Sequence, residues 1–312
     1  MLTYPKKPRT ILFSLITFLV ACNNPEKKPI SKKPESLNLT QKNTTISGIP
    51  DSMMFFGNHI QFIDQDIRER LDRELLVNIY FQSSTNLILK RCNRYLPTIE
   101  KILKEEKVPD DFKYLCVIES SLSNATSPAG ASGFWQFMTF TAPKYGLRIS
   151  DEIDERLHLE KSTRAACALI KSNFSMFNNW INACAAYNRG PGGLLEDFKI
   201  QQVQHVFDAE LNQETARYVF RIMALKLIIE NPKAYGFHIS EKDLYPIYKT
   251  QKITINEPIE NLAAWSIQKG YNRKIIRLLN PWILRNKLTS ESIPCTIEVP
   301  DGNQQLKVNH PL

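Results

Sequence analysis

A mainly α-helical chain with a small α+β unit near its C-terminal end is predicted by three observations. Between about residues 60 and 232, apolar residues recur at helical spacing, as in Ile67, Leu71 and Leu75 with charged residues between them. No strand signal of comparable strength interrupts that stretch. After residue 240 the texture changes: Gln251 to Ile255 alternates like a strand, two short helical runs follow, and Cys295 to Val299 alternates again.

Each element has its own signal. A helix carrying Ile67, Leu71 and Leu75 is followed by one over 84–105, which Pro97 is expected to kink or divide. Val108-Pro109-Asp110-Asp111 reads as a turn and a helix start, with Asp110 or Asp111 capping the run Leu115-Cys116-Val117-Ile118-Glu119. Ser127-Pro128-Ala129-Gly130 ends that helix, and Gly130 and Gly133 allow close backbone approach. Helices are expected to resume at 134–145, 161–174, 178–187 and 212–230, the last stopped by Asn231-Pro232. In the C-terminal unit, helices are expected over 257–269 and 272–279.

Composition narrows the classes. The 312 residues carry a net charge of +8, yet six of those eight excess charges fall within the first 50 residues. The basicity belongs to a leader and linker, so nucleic acid is set aside as a partner. Lys6, Lys7 and Arg9 precede an apolar run from Ile11 to Val20 that is short for a membrane span. The run ends in Leu19-Val20-Ala21-Cys22, which resembles the lipobox of bacterial lipoproteins. That implies a signal peptide over 1–21 and lipidation of Cys22, which would tether the protein to a membrane. Residues 22–52, rich in Lys, Pro, Ser, Thr and Asn, read as a flexible tether. Of the other cysteines, Cys92, Cys116, Cys167, Cys184 and Cys295 show no disulfide framework, and Cys116, Cys167 and Cys184 read as small core residues. No metal-ligand spacing appears, and no metal or cofactor is implied.

Glu119 is the candidate for chemistry. A carboxyl reached along an apolar helix is pushed toward its protonated form, the state a general acid needs near neutral pH. Glu119-Ser120 is followed in order by Ser127, Gly130-Ala131, Gly133-Phe134-Trp135-Gln136-Phe137-Met138, then Ala185-Ala186-Tyr187-Asn188-Arg189-Gly190, and Glu214-Thr215-Ala216-Arg217-Tyr218-Val219. With these motifs, residues 108–225 resemble the catalytic domain of the family-23 lytic transglycosylases, in particular the D-type lipoprotein subgroup.

The resemblance implies a goose-lysozyme-like, all-α catalytic domain over 108–235, preceded by a helical extension over 53–107. It implies cleavage of the bond between N-acetylmuramic acid and N-acetylglucosamine in peptidoglycan glycan strands, with Glu119 as the acid and base. Ser127, Gln136, Met138, Tyr187 and Asn188 would bind the sugars, Tyr187 with its hydroxyl near Glu119 or the N-acetyl group. Trp135 is open between core and sugar stacking. Glu214, Arg217 and Tyr218 read as a buried structural pair and groove wall, and Asp151 and Asp154 as scaffold. His158-Leu159 stands where the family often has Asp-Pro. Asn280-Pro281-Trp282 in the 245–302 unit resembles LysM wall-binding modules, with a plain structural appendage as the alternative. The expected location is the envelope of a Gram-negative-type bacterium, outer membrane facing the periplasm. A muramidase that uses water and a non-catalytic wall-binding lipoprotein remain open, and no protein partner is indicated.

Overall fold

The computed structural model describes residues 48–301; the expected signal peptide, Cys22 and nearly all of the tether lie outside the described residues. Two strands, β1 (Ser52–Phe55) and β2 (Asn58–Gln61), open the chain as an antiparallel hairpin with Ser52 opposite Gln61. Its two-residue turn places Phe56 and Gly57 both at positive φ (47° and 77°), the geometry that matches strand twist. This hairpin stands where the sequence pattern indicated only helix. Its role is visible in packing: Phe56 sits 4.4 Å from the Phe112 ring, inside the main core.

Helices α1 (Gln65–Tyr80) and α2 (Gln82–Glu105) follow. Pro97 does not divide α2. It lies on the exposed face, where water can satisfy the carbonyl that loses its partner. Helix α3 (Phe112–Ser120) brings Leu115, Cys116 and Val117 into the centre of the molecule with no exposed surface. Asp111 precedes α3 without capping it. Its φ and ψ of −58° and −18° are already helical, so its carboxylate cannot fold back on the first turn. It accepts instead from Phe56 N of the hairpin and from Lys226 Nζ at 2.7 Å.

The expected helix over 134–145 is absent apart from a single 3-10 turn, Ala142–Tyr145. Gly133 and Gln136 take positive φ (83° and 48°), and Ser132 bridges both Thr126 and Phe137, folding the segment into a tight loop. Its run of Phe134, Trp135 and Phe137 is buried because the loop is enclosed, which imitated a helix stripe.

Helices α4 (Leu159–Phe177), α5 (Trp180–Arg189), α6 (Pro191–Gln201) and α7 (Gln213–Glu230) complete the body. The pattern overlooked α6 because Gly192 and Gly193 weaken its first turn; Pro191 at its first position was the available signal. Among the described residues no helix is long and apolar enough to cross a membrane.

The C-terminal unit pairs β3 (Thr250–Ile255) antiparallel with β4 (Cys295–Pro300), Ile253 opposite Ile297, around α8 (Leu262–Gln268) and α9 (Arg273–Leu279). Helix α8 is shorter than expected because Ile259 pairs with Leu288 and Asn261 caps the helix start. This unit has its own small core, including Trp282, Ile283 and Ile297, which Ile153 of the body joins. Glu152 welds the two parts, accepting from Thr289 N (2.8 Å) and Ser292 Oγ (2.7 Å). The five described cysteines are buried and unpaired, and burial pushes the Cys92 and Cys167 thiols up to about 12.

Candidate active site

Glu119 occupies the last turn of α3, which ends where Ser121 and Leu122 turn left-handed (φ 50° and 52°). The residue is partly exposed. Tyr218, buried on α7, donates its hydroxyl to Glu119 Oε1. Burial pushes the Glu119 carboxyl up to about 7; the Tyr218 hydrogen bond and then the charge of Arg221 act downward, and Glu214 acts upward. An acid in that range is present in both forms near neutral pH, which suits one group that must give a proton and later take one.

Tyr218 was read from sequence as wall; the structure puts it in direct contact with the acid. A signal existed, because Glu214, Tyr218 and Arg221 follow one helical face at intervals of four and three. Arg217 does not pair with Glu214 but with Glu74 of α1, at 2.7 Å. Glu214 is exposed and accepts from Asn188 Nδ2 at 3.0 Å, while Thr215 Oγ1 donates to Asn188 Oδ1 at 2.9 Å. A cavity of about 530 Å³ lies beside this region between α1, α2, α3 and α7, lined in part by Ile118, Ser121, Glu214 and Arg221.

The other expected residues fall on or behind the loop that faces α5. Ser127 Oγ accepts from Ala131 N at 3.1 Å, leaving its own proton to donate elsewhere. Gln136 Nε2 donates to Gly133 O (2.8 Å) and Ala125 O (3.0 Å), so its amide nitrogen holds the loop and its amide oxygen is left to accept. Met138 is partly exposed. Tyr187 donates to Trp135 O at 2.7 Å rather than to Glu119. Trp135 is fully buried, donating to Thr163 Oγ1 at 2.9 Å, and belongs to the core.

The loop is clamped from behind by Arg156. Its Nη1 donates to Gly130 O (2.8 Å), Phe137 O (3.0 Å) and Thr139 Oγ1 (3.1 Å), and its Nη2 pairs with Asp154 at 2.7 Å. Asp154, which the sequence offers with Asp151 as an alternative carboxylate, is thereby engaged by Arg156.

This arrangement defines a class. Residues 97–208 match the transglycosylase SLT domain, and residues 251–303 match the soluble lytic transglycosylase C-terminal LysM-like domain. The chain therefore carries an SLT-type, lysozyme-like helical domain followed by a LysM-like unit. Among individual proteins it is similar to the membrane-bound lytic murein transglycosylase D of Escherichia coli strain K12 and of strain O6:H1, at 29% identity over 240 residues in each case. Those matches cover 72% of this chain and 52% of each relative, so the chain spans about half the length of the curated relatives it matches. A crystal structure of an inactive mutant of the lytic transglycosylase Slt from Pseudomonas aeruginosa matches with a TM-score of 0.37 and 21% identity, covering 48% of this chain and 26% of that one.

Proposed function

We propose that this protein is a lytic transglycosylase that cleaves the β-1,4 bond between N-acetylmuramic acid and N-acetylglucosamine in peptidoglycan without water. The observation that carries the reading is a carboxyl, raised to about 7, at the end of an apolar helix and held by a buried tyrosine hydroxyl, with the neighbouring Glu214 carboxylate engaged by Asn188. Protonated Glu119 donates to the glycosidic oxygen, and positive charge develops at C1 of the muramic acid. The resulting carboxylate takes the proton of that sugar's 6-hydroxyl as its oxygen closes onto C1, forming a 1,6-anhydro ring. A glycosidase that uses water needs a second carboxylate as base or nucleophile. Here the substrate hydroxyl replaces the water, and its attachment to the same ring gives it a high effective concentration.

Within this reading Ser127, the Gln136 amide oxygen, Met138 and Asn188 contact the sugars, and Tyr187 acts by holding Trp135. Residues 53–107 form an extension, 108–235 the catalytic domain and 245–302 the wall-binding unit. Residues 1–21 are removed as a signal peptide, and lipidated Cys22 anchors the protein, probe of the wall, to the outer membrane of a Gram-negative-type envelope. The name of the Escherichia coli relatives, membrane-bound lytic murein transglycosylase D, supports attachment to a membrane.

The test is mass spectrometry of muropeptides released from purified sacculi by the full chain. Ends carrying anhydro-muramic acid are expected. Hydrolysed ends would establish a muramidase instead, and binding without release would establish a wall-binding protein.

The pH profile provides a second check. The reactive species has Glu119 protonated, so kcat/KM is expected to be level below about 7 and to fall above it. Tyr218→Phe removes a hydrogen bond that favours the carboxylate, so the folded pKa rises and the falling limb moves to higher pH. A limb that stays in place or moves down would show that the hydroxyl does not tune the acid.

A further inference from the structure

Helix α3 delivers Glu119 on its last turn and then stops in a strained conformation. Ser121 and Leu122, neither of them glycine, are both left-handed, with φ of 50° and 52°. A side chain disfavours that region, and such strain persists only where the surroundings hold it in place. Here Leu122 is buried in the core, Ser123 Oγ donates to Ser120 O at 2.6 Å, and Arg91 Nη1 donates to Ser121 O at 3.0 Å. A cation at that end of α3 is also favoured by the partial negative charge of the last helical carbonyls.

Arg91 belongs to α2, in the N-terminal extension, and lies before the residues that match the transglycosylase domain, 97–208. The same extension grips α7, which carries Tyr218. Arg70 Nη2 of α1 donates to Ala216 O at 2.7 Å, and Glu74 of α1 accepts from Arg217 Nε at 2.7 Å. Both elements that meet in the Glu119–Tyr218 contact are therefore fastened to α1 and α2.

We infer that Arg91 is a positioning residue for the acid: by holding the Ser121 carbonyl it fixes the turn that ends α3, and with it the place of the Glu119 carboxyl against Tyr218. It acts through the backbone. The groups that face Glu119 are Cys116 on its own helix, Cys184 and Tyr187 on α5, and Glu214, Tyr218 and Arg221 on α7. Arg91 does not act on the acid by its charge. Burial is the largest reason that the carboxyl is raised to about 7, so a loosened turn that admits water would let it fall back toward 4.5. That Glu119 is the reacting acid rests on the transglycosylase reading; how it is held does not.

The test is a carbon-13 NMR titration of the Glu119 carboxyl in the full chain in detergent, its signal assigned by its loss in Glu119→Gln. Arg91→Met keeps most of the packed stem and removes the donor. Its titration midpoint is expected about one pH unit or more below the parent's. Release of muropeptides is expected to fall about tenfold in kcat with KM unchanged, since the acid is displaced while the sugar contacts stay. Glycine takes left-handed φ without penalty, so both effects should shrink when Arg91→Met is made together with Ser121→Gly. A midpoint that stays or rises, or an undiminished loss in the Ser121→Gly background, would overturn the proposal. If Arg91→Met does not fold, Arg91→Lys decides alone, because one ammonium cannot reproduce the guanidinium's geometry. It is expected to lower the midpoint and kcat less, and parent values of both would overturn the proposal. An active protein whose midpoint ignores Arg91 fails only this proposal. An inactive parent whose midpoint falls with Arg91→Met fails only the transglycosylase reading.

Discussion

Glu119→Gln is expected to lower release of anhydro-ended muropeptides by about a thousandfold, within the range that a positioned acid–base group contributes. The substitution keeps shape and hydrogen-bonding capacity but removes the transferable proton. Its effect on stability should have the opposite sign. The native state holds this carboxyl up to about 7 from an ordinary value of 4.5, chiefly through burial. Below the ordinary value, native and unfolded chains both carry it protonated and the shift has no effect on stability. As pH rises through the interval to about 7, the unfolded chain ionises first, and native stability is lost. By about pH 8 the loss approaches its full size, up to about 3 kcal/mol. The variant is therefore expected to melt higher than the parent at pH 8 and alike at pH 4. Retained activity would remove Glu119 from the mechanism. Equal melting at pH 8 would show that its carboxyl is not raised.

Gly133→Ala is expected to cost about 3 kcal/mol or more of stability, or to prevent folding. Two independent constraints meet at this position. Its φ of +83° is strained for any residue with a side chain, and a Cβ there would overlap the carbonyl oxygen of Arg156 and lie 2.7 Å from that residue's carbonyl carbon. The obstacle is backbone fastened by the Asp154–Arg156 clamp, so it has no easy way to yield. Gly130→Ala is the control. It shares a positive φ of +86° but has open space around a built Cβ, so its loss should be the conformational part alone, about 1 kcal/mol. Thermal unfolding of the two variants separates strain from collision. A Gly133→Ala protein as stable as Gly130→Ala would show that the loop and Arg156 are not packed as described.

Much of this was legible in local pattern. The acid on its apolar helix, the stripes that became α1, α4, α5 and α7, and the strand–helix–helix–strand order of the C-terminal unit all follow from spacing within a few turns of chain. Failures came where burial had a non-local cause. Phe134, Trp135 and Phe137 look like a helix stripe, but a loop bent at Gly133 and Gln136 buries them from several sides. Asp111 looks like a cap, yet a hairpin more than fifty residues earlier and a lysine more than a hundred later claim its oxygens.

The sequence by itself determined the helical class, the C-terminal α+β unit, and an acid whose apolar neighbours along α3 favour its protonated form. Only the tertiary structure decided which tyrosine meets that acid. The sequence placed the Tyr187 hydroxyl near Glu119 or the sugar N-acetyl group; in the structure Tyr218, 99 residues from Glu119, donates to the acid, while Tyr187 donates to Trp135 O. It also decided that Arg217 pairs with Glu74 across 143 residues and that Arg156 clamps the loop through Gly130 and Phe137. Periodicity and capping act within a turn or two of chain, so they can be read locally. Which side chains meet across helices depends on how α1, α3, α5 and α7 pack around one shared core, and no local pattern carries that geometry.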